Sequence, residues 1–279
     1  RVPEILVCHY CQYQQPVPLV CAQCSADTMR RRGMGTQQVE RVLAERFPEA
    51  RIARMDVDTT SGKWAHTQIL DRVGRGEVDI LLGTQMIAKG LDFPNVTLVG
   101  VVDADTGLNL PDFRAAERTF QLVSQVAGRA GRGPKGGDVI IQTRMPTSHA
   151  IRHAITHDVT GFVREELGAR RMPAYPPFVS IANVLVSGLD QAATAATAVA
   201  AASWVQRLVD RQGLRDLVFV GPAPCPIDRI KDRWRWHFLL KSSQPKLMTR
   251  VARYIAERCP VPKQHELRLT VDRDPVSLL

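Results

Sequence analysis

Apolar positions Val39, Val42, Leu43 and Phe47 recur at helical spacing after Thr36, and Pro48 stops the pattern. Thr36 is the expected N-cap of that helix. Arg51 to Asp56 then reads as a strand, Lys63 to Val73 as a helix, and Asp79 to Gly83 as a buried strand. A strand at Val96 to Val102, a helix at Glu117 to Val126 and a strand at Val139 to Thr143 complete the series. Strands alternating with helices predict a parallel, helix-covered sheet, with ligands beyond the carboxyl ends of its strands. A single long helix is expected from Ser148 to Arg170, and Met172-Pro173-Ala174-Tyr175-Pro176-Pro177 reads as a linker.

Beyond the linker the pattern changes. Strands are expected at Phe178–Ser187, Leu217–Val220, Trp234–Lys241 and Glu266–Asp272, with helices at Gln191–Arg211 and Lys246–Glu257. The order β-α-β-β-α-β predicts a split βαβ, α+β domain. The strand around Trp234 alternates cleanly. Trp234, Trp236, Phe238 and Leu240 share one face, and Arg233, Arg235, His237 and Lys241 share the other. Either the second face is only a solvated basic surface, or Arg233 and Arg235, extended by Arg229 and Lys231, track DNA phosphates.

The 279 residues suffice for about two domains and a small module. No run of about 18 apolar residues occurs, so no membrane span and no membrane partner are expected. The first residue is Arg1 and no secretory signal follows, so the sequence is read as a piece of a longer, cytoplasmic protein. The net charge of +9 favours a polyanionic partner. It is concentrated: residues 173–279 hold 15 Lys/Arg against 9 Asp/Glu, and residues 1–172 hold 22 against 19.

Four of the six cysteines form Cys8-x2-Cys11 and Cys21-x2-Cys24. Each pair can turn both sulfurs toward one ion, and two pairs complete a tetrahedral thiolate site for Zn²⁺. His9 is either a spare ligand or an exposed side chain. Cys225 and Cys259 are isolated and read as packing residues. His149, His153 and His157 stand four apart, which describes one polar helix face better than a metal clip. Ser61-Gly62-Lys63 fails as a phosphate loop, because Val57 stands where the first glycine belongs and Trp64 where Ser or Thr belongs. The sequence contains no Walker A loop and no Asp-Glu-x-His box.

Gln125-Val126-Ala127-Gly128-Arg129-Ala130-Gly131-Arg132 places two arginines three apart, each after a glycine, at the end of an expected helix. Either the pair is only a basic turn on a solvated surface, or its permanently charged, forked guanidiniums stabilise charge developing on a transferring phosphoryl group. Upstream lies Gly83-Thr84-Gln85-Met86-Ile87-Ala88-Lys89-Gly90-Leu91-Asp92-Phe93-Pro94-Asn95-Val96. Together these stretches resemble the fifth and sixth motifs of the second motor lobe of superfamily 2 helicases. Their wording resembles, more narrowly, the primosomal protein N′ family of replication-restart helicases. The resemblance covers most of residues 5 to 279.

The resemblance implies a zinc-binding segment over 1–28, a RecA-like helicase lobe over 29–171 and a ribosomal-protein-like α+β domain over 172–279. It implies the C-terminal part of an ATP-dependent 3′→5′ DNA helicase that restarts stalled forks. By motif match, Arg129 and Arg132 meet the ATP γ-phosphate, with Arg132 as the finger. Gln125 and Gly128 shape that turn, Gly90 and Asp92 lie near the ribose and couple it to DNA, and Thr84 and Gln85 meet the DNA backbone or the coupling loop. Forked and single-stranded DNA, single-strand-binding protein and primosome proteins are the implied partners, and the nucleoid the implied place. Zn²⁺ and Mg-ATP are the implied cofactors, with ATP held mainly by a first lobe that this sequence lacks. The family carries four Cys-x-x-Cys pairs for two zinc ions in a nested arrangement. The two pairs here therefore serve either one closed site or two different ions. The rival reading is a non-catalytic, zinc-ribbon, DNA-binding adaptor without a working motor.

Overall fold

The computed structural model describes residues 5–7, 14–18, 20–21, 24–27, 35–56, 65–84, 95–128 and 136–278. Strands β1 (Ile5–Val7) and β2 (Gln14–Pro16) form an antiparallel pair, with Ile5 opposite Pro16 and Val7 opposite Gln14. The described residues fall into two compact units, one over 20–109 and 116–162, the other over the first residues, 110–115 and 163–278.

The first of these is an α/β lobe. Helix α1 spans Thr36–Arg46, but its N-cap is Gly35 and no side chain caps it. The hydroxyl of Thr36 instead donates to Asp56 Oδ2 at 2.7 Å, tying the helix to the end of β3 (Ile52–Met55). Helix α2 (Ala65–Gly74) carries the chain over to β4 (Ile80–Gly83), which pairs in parallel with β3 from Ile52/Ile80 to Met55/Gly83. Parallel neighbours cannot be joined by a hairpin, so a helical crossover is the natural connection. The Arg51 fork closes on Asp79 at 2.7 and 2.9 Å and locks the amino ends of the pair. It holds the Asp79 carboxyl well below the usual carboxylate range. A second parallel pair joins β5 (Leu98–Val101) to β6 (Asp138–Ile141), with α3 (Asp105–Leu108) and α4 (Ala115–Ala127) between them in the chain. Among the described residues the four strands thus form two parallel ladders, not one continuous sheet.

The single helix expected over Ser148–Arg170 is two: α5 (His149–Ile155) and α6 (Val159–Arg171). Asp158 makes the break. Its Oδ1 accepts from the Gly161 N–H at 2.8 Å, starting α6, while Oδ2 lies 3.0 Å from His153 Nδ1. His157 turns the chain with φ 53°. The three histidines therefore share no face. His149 stacks on Phe162 at 5.5 Å, His153 is spent on Asp158, and His157 sits in the turn. Phe120, Val123, Ile151, Ala154 and Phe162 form the core that α4, α5 and α6 share.

The other unit is the expected split βαβ. Strand β7 (Ser180–Gly188), helix α7 (Gln191–Arg211), strands β8 (Val218–Ile230) and β9 (Arg233–Ser242), helix α8 (Pro245–Arg258) and strand β10 (Arg268–Arg273) follow in order. The sheet is antiparallel throughout, in the order β10-β7-β9-β8. Asp190 caps α7 by accepting the Ala193 N–H at 2.7 Å. Ala182, Val184, Phe238 and Leu240 on the sheet pack against Val205, Met248, Val251 and Ile255 on the helices. Each large side chain so buried contributes about 1.5–3 kcal/mol. Cys225 is buried and Cys259 packs against this core, and burial pushes both thiols up to about 11.

The opposite face of β9 is not the solvated basic stripe that its alternation suggests. Leu239 lies there with Ile181 and Leu278, covered by Phe113, Tyr175 and Val179. Lys241 is only 7% exposed; its Nζ donates to the Pro173 carbonyl at 2.8 Å and sits 3.8 Å from the Tyr175 ring centre. His237 is half-buried, with Nδ1 3.1 Å from Asn183 Oδ1. Burial, then the charge of Arg235, holds its imidazole below the ordinary histidine value. The folded protein therefore favours neutral His237. The stabilisation is complete above about pH 6.5 and is lost as pH falls through the lowered folded value. Urea unfolding followed by tryptophan fluorescence from roughly pH 7 to 5 should show a shallower loss of stability in His237→Gln than in the unsubstituted chain. Parallel curves would remove His237 as a source of acid sensitivity.

Candidate nucleotide and nucleic-acid site

Helix α4 precedes the arginine motif in the chain. Its buried positions, Ala115, Thr119, Phe120 and Val123, follow the helical period and hold one face in the core. Gln125 lies on the exposed side of the last turn. Gly128 continues the helical ladder, its N–H reaching the Ser124 carbonyl at 3.1 Å. Arg129 and Arg132 follow at once in the chain and lie outside the described residues, as do Gln85, Gly90 and Asp92. Thr84 is exposed directly after β4, at the carboxyl end of its parallel pair. Of the six nucleotide-motif residues, Gln125 and Gly128 alone are described, and they stand together at the end of one helix.

The carboxyl ends of β5 and β6 are knit by side chains that the sequence patterns do not single out. The Asp103 N–H donates to Gln142 Oε1 at 3.2 Å, and Asp103 Oδ2 accepts from Thr106 at 2.8 Å. Asp105 takes the Thr143 hydroxyl at 2.5 Å and the Arg144 N–H at 2.7 Å, which lowers its pKa. Val102-Asp103-Ala104-Asp105 lies just past an apolar strand, and that position was the available signal.

The cysteine segment is described at its second pair. The Cys21 N–H donates to the Ala26 carbonyl at 3.0 Å and the Ser25 N–H to the Cys21 carbonyl at 2.8 Å. Ser25 takes φ 55° directly after Cys24. The result is a closed turn with Cys21 half-buried, Cys24 exposed and neither in a disulfide. Such a turn suits a Cys-x-x-Cys knuckle. Cys8 and Cys11 lie outside the described residues, in the connection between β1 and β2. Among the described residues no three His, Cys, Asp or Glu side chains gather as a metal site.

In the other unit the two expected DNA contacts are already engaged. Arg233 pairs with Glu266 at 3.1 Å and donates to the Ser187 and Glu266 carbonyls. Arg235 donates to the Ile227 carbonyl at 3.1 Å. These bonds fix the direction of each guanidinium and occupy part of its five-donor set. Exposed cations without an ion pair among the described residues lie in turns, at Arg215, Lys231 and Lys263, and on both helices. Arg207 and Arg211 on α7, with Lys246, Arg250 and Arg253 on α8, are exposed and make no ion pair among the described residues. On α8 the spacing 246, 250, 253 places them opposite buried Met248, Val251 and Ile255.

Comparison with known proteins agrees with both halves. Residues 27–134 match the helicase conserved C-terminal domain, and residues 171–276 match the primosomal protein N C-terminal domain. Curated relatives named replication restart protein PriA match along the whole chain. The one from Bacillus subtilis is 45% identical over 280 residues, covering 100% of this chain and 34% of the relative. The Synechocystis relative is 42% identical over 275 residues, 98% of this chain and 32% of the relative. The Chlamydia trachomatis relative is 37% identical over 280 residues, 99% of this chain and 36% of the relative. The chain thus spans about a third of the length of the curated relatives it matches. A helicase C-terminal lobe followed by the primosomal C-terminal domain, and end-to-end identity with these relatives, make the chain a member of the replication restart protein PriA family, corresponding to a C-terminal part of it.

Proposed function

We propose that this chain is the second motor lobe and C-terminal domain of an ATP-dependent 3′→5′ DNA helicase that restarts stalled replication forks. The observation that carries the reading is helix α4, anchored in the lobe core and ending at Gln125 and Gly128, immediately before Arg129 and Arg132. In this reading Arg132 stabilises charge on the transferring γ-phosphoryl group and Arg129 assists it. Gly90 and Asp92 lie near the ribose, and Thr84 and Gln85 meet the DNA backbone. Mg-ATP is held mainly by a first lobe, because the 279 residues contain no Walker A loop. The purified chain with DNA should therefore show no ATP turnover above background. In the complete protein Arg132→Ala should lower DNA-stimulated turnover by about 10³-fold or more. Near-normal turnover in that variant would remove Arg132 from the role.

Cys21 and Cys24, in their closed turn, would hold Zn²⁺ together with Cys8 and Cys11, and the ion would supply a structural cross-link. Metal analysis of the purified chain should give about one zinc per chain, absent from Cys21→Ser. Two ions per chain would require ligands beyond these four, and none would remove the site.

Forked and single-stranded DNA are the proposed polyanionic partners, with single-strand-binding protein and primosome proteins as protein partners. The exposed cations of α7 and α8 support DNA contact by the helices of the C-terminal unit, beside Arg233 and Arg235 on the sheet. Affinity for duplex DNA should fall with salt, and Arg250→Glu/Arg253→Glu should flatten the log–log slope by about 0.9 for each phosphate no longer neutralised. Identical slopes for the two proteins would leave these helices as a solvated surface only.

A further inference from the structure

Helices α7 and α8 bury their inner positions against the same face of the C-terminal sheet. The flank on which they meet is not an ordinary polar surface. Trp204 on α7 is partly buried against the core, and Tyr254 on α8 stacks on it, with ring centres 5.9 Å apart and planes 12° from parallel. Trp204 takes one face of the tyrosine ring, yet Tyr254 is still 44% exposed. Much of the remaining ring is therefore open to solvent.

The two helices run antiparallel. Forward along the chain from Trp204 come Leu214 and Arg215, backward from Tyr254 come Arg250 and Leu247, and these four line one cleft. Helical spacing puts Arg211 on the Trp204 flank of α7, and Arg250 and Lys246 one and two turns before Tyr254 on α8. Arg211, Arg215, Lys246 and Arg250 are exposed and make no ion pair among the described residues. The ring thus stands at the end of a row of cations. Nearby acids do not neutralise the row. Asp210 accepts the Gln206 side-chain amide at 2.9 Å on the other flank of α7, and Glu257 lies beyond Tyr254 in the last turn of α8. Asp216, which also lines the cleft, is held by the hydroxyls of Ser242 and Ser243 at 2.5 and 2.6 Å.

Cations alone follow the phosphates of either form of DNA. The ring adds a choice between forms. In a duplex each base is already stacked between its neighbours, and taking one out costs energy. An unpaired strand leaves its bases free, and an aromatic ring beside arginines is the chemistry that receives them, with little regard to sequence. We propose that the flank shared by α7 and α8 is a single-strand site: an unpaired base stacks on Tyr254, which Trp204 holds flat, while Arg211, Arg215, Lys246 and Arg250 carry the adjoining phosphates. The proposal rests on the DNA contact by these helices given above and narrows it to one form of DNA and one kind of contact.

Three labelled ligands of equal length test it on the purified chain: single-stranded oligothymidylate, an abasic strand with the same phosphates, and duplex DNA. Tyr254→Leu keeps an apolar cover over Trp204 but has no ring. It should weaken oligothymidylate binding by about tenfold and leave the abasic strand and the duplex within about twofold. The salt dependence should stay as it was, because no charge is removed. Tyr254→Phe should bind all three like the unsubstituted chain. A second measurement needs no substitution: oligothymidylate carrying 5-iodouracil should photocross-link to Tyr254 or Trp204. Equal loss for oligothymidylate and the abasic strand in Tyr254→Leu, or no loss for either, would overturn the proposal. Cross-links confined to residues outside α7 and α8 would do the same. An unsubstituted chain that binds none of the three ligands would defeat the wider reading of these helices as a DNA surface, and the single-strand site with it.

Discussion

A single buried ammonium governs one whole face of the C-terminal sheet. Taking the Lys241 cation out of water costs several kcal/mol, and burial lowers its pKa accordingly. Two neighbours offset that cost. A charged hydrogen bond to the Pro173 carbonyl contributes about 1.5–3 kcal/mol, and a desolvated cation–π contact with Tyr175 about 2 kcal/mol. Neither alone suffices, so the turn from Pro173 to Phe178 must present both at once. Once Tyr175 is fixed over Lys241, its other face is available, and Phe113 occupies it. The cover over Ile181, Leu239 and Leu278 follows from that placement.

The alternation of β9 assigned side chains to faces correctly. Phe238 and Leu240 meet the helices, and Leu239 and Lys241 point away from them. Alternation states which face a residue occupies, not what covers that face. Here the cover comes from residues 113, 175–179 and 278, far apart in sequence, so a local pattern could not reveal it. Arg233 and Arg235 stood out because they cluster, yet clustering left no trace of the carbonyls at Ser187, Glu266 and Ile227 that engage them. The α7 and α8 cations are spaced at helical intervals and form no run, so they are less conspicuous in the sequence and more available in the fold.

Elements were most legible where local and tertiary preferences agree. Helix α7 spans Gln191–Arg211 as expected, because an aspartate cap precedes an alanine-rich run. Strand β8 runs to Ile230, well beyond the expected Val220, and carries Pro222, Pro224 and Pro226 within it. On an edge strand their missing N–H groups cost no ladder bond, and the register shifts after Val220 and Pro224 absorb them as bulges. Gly221 makes the first shift possible, with φ 103° and space for no Cβ closer than 3.2 Å to Phe238 Cα. The break between α5 and α6 was illegible for the opposite reason. The apolar period runs through it, and the break rests on the side-chain bonds of Asp158 and the positive φ of His157.

The nucleotide motif divides in the same way. Glycines and arginines around Gly128 stand out by residue type, and the stretch from Gly83 to Val96 upstream is what turns that pattern into a motor motif rather than a basic turn. The contacts of the loop before α4 have no such signature. Asp112 and Phe113 look like an ordinary loop before a helix, a proline and an acid followed by an aromatic. Their significance lies in partners more than 60 residues away, Tyr175 from Phe113 and Ser277 from Asp112. Asp112 tolerates burial only because its bonds to Ser277 and Leu278 replace water, and those partners lie at the far end of the sequence, where no local pattern reaches.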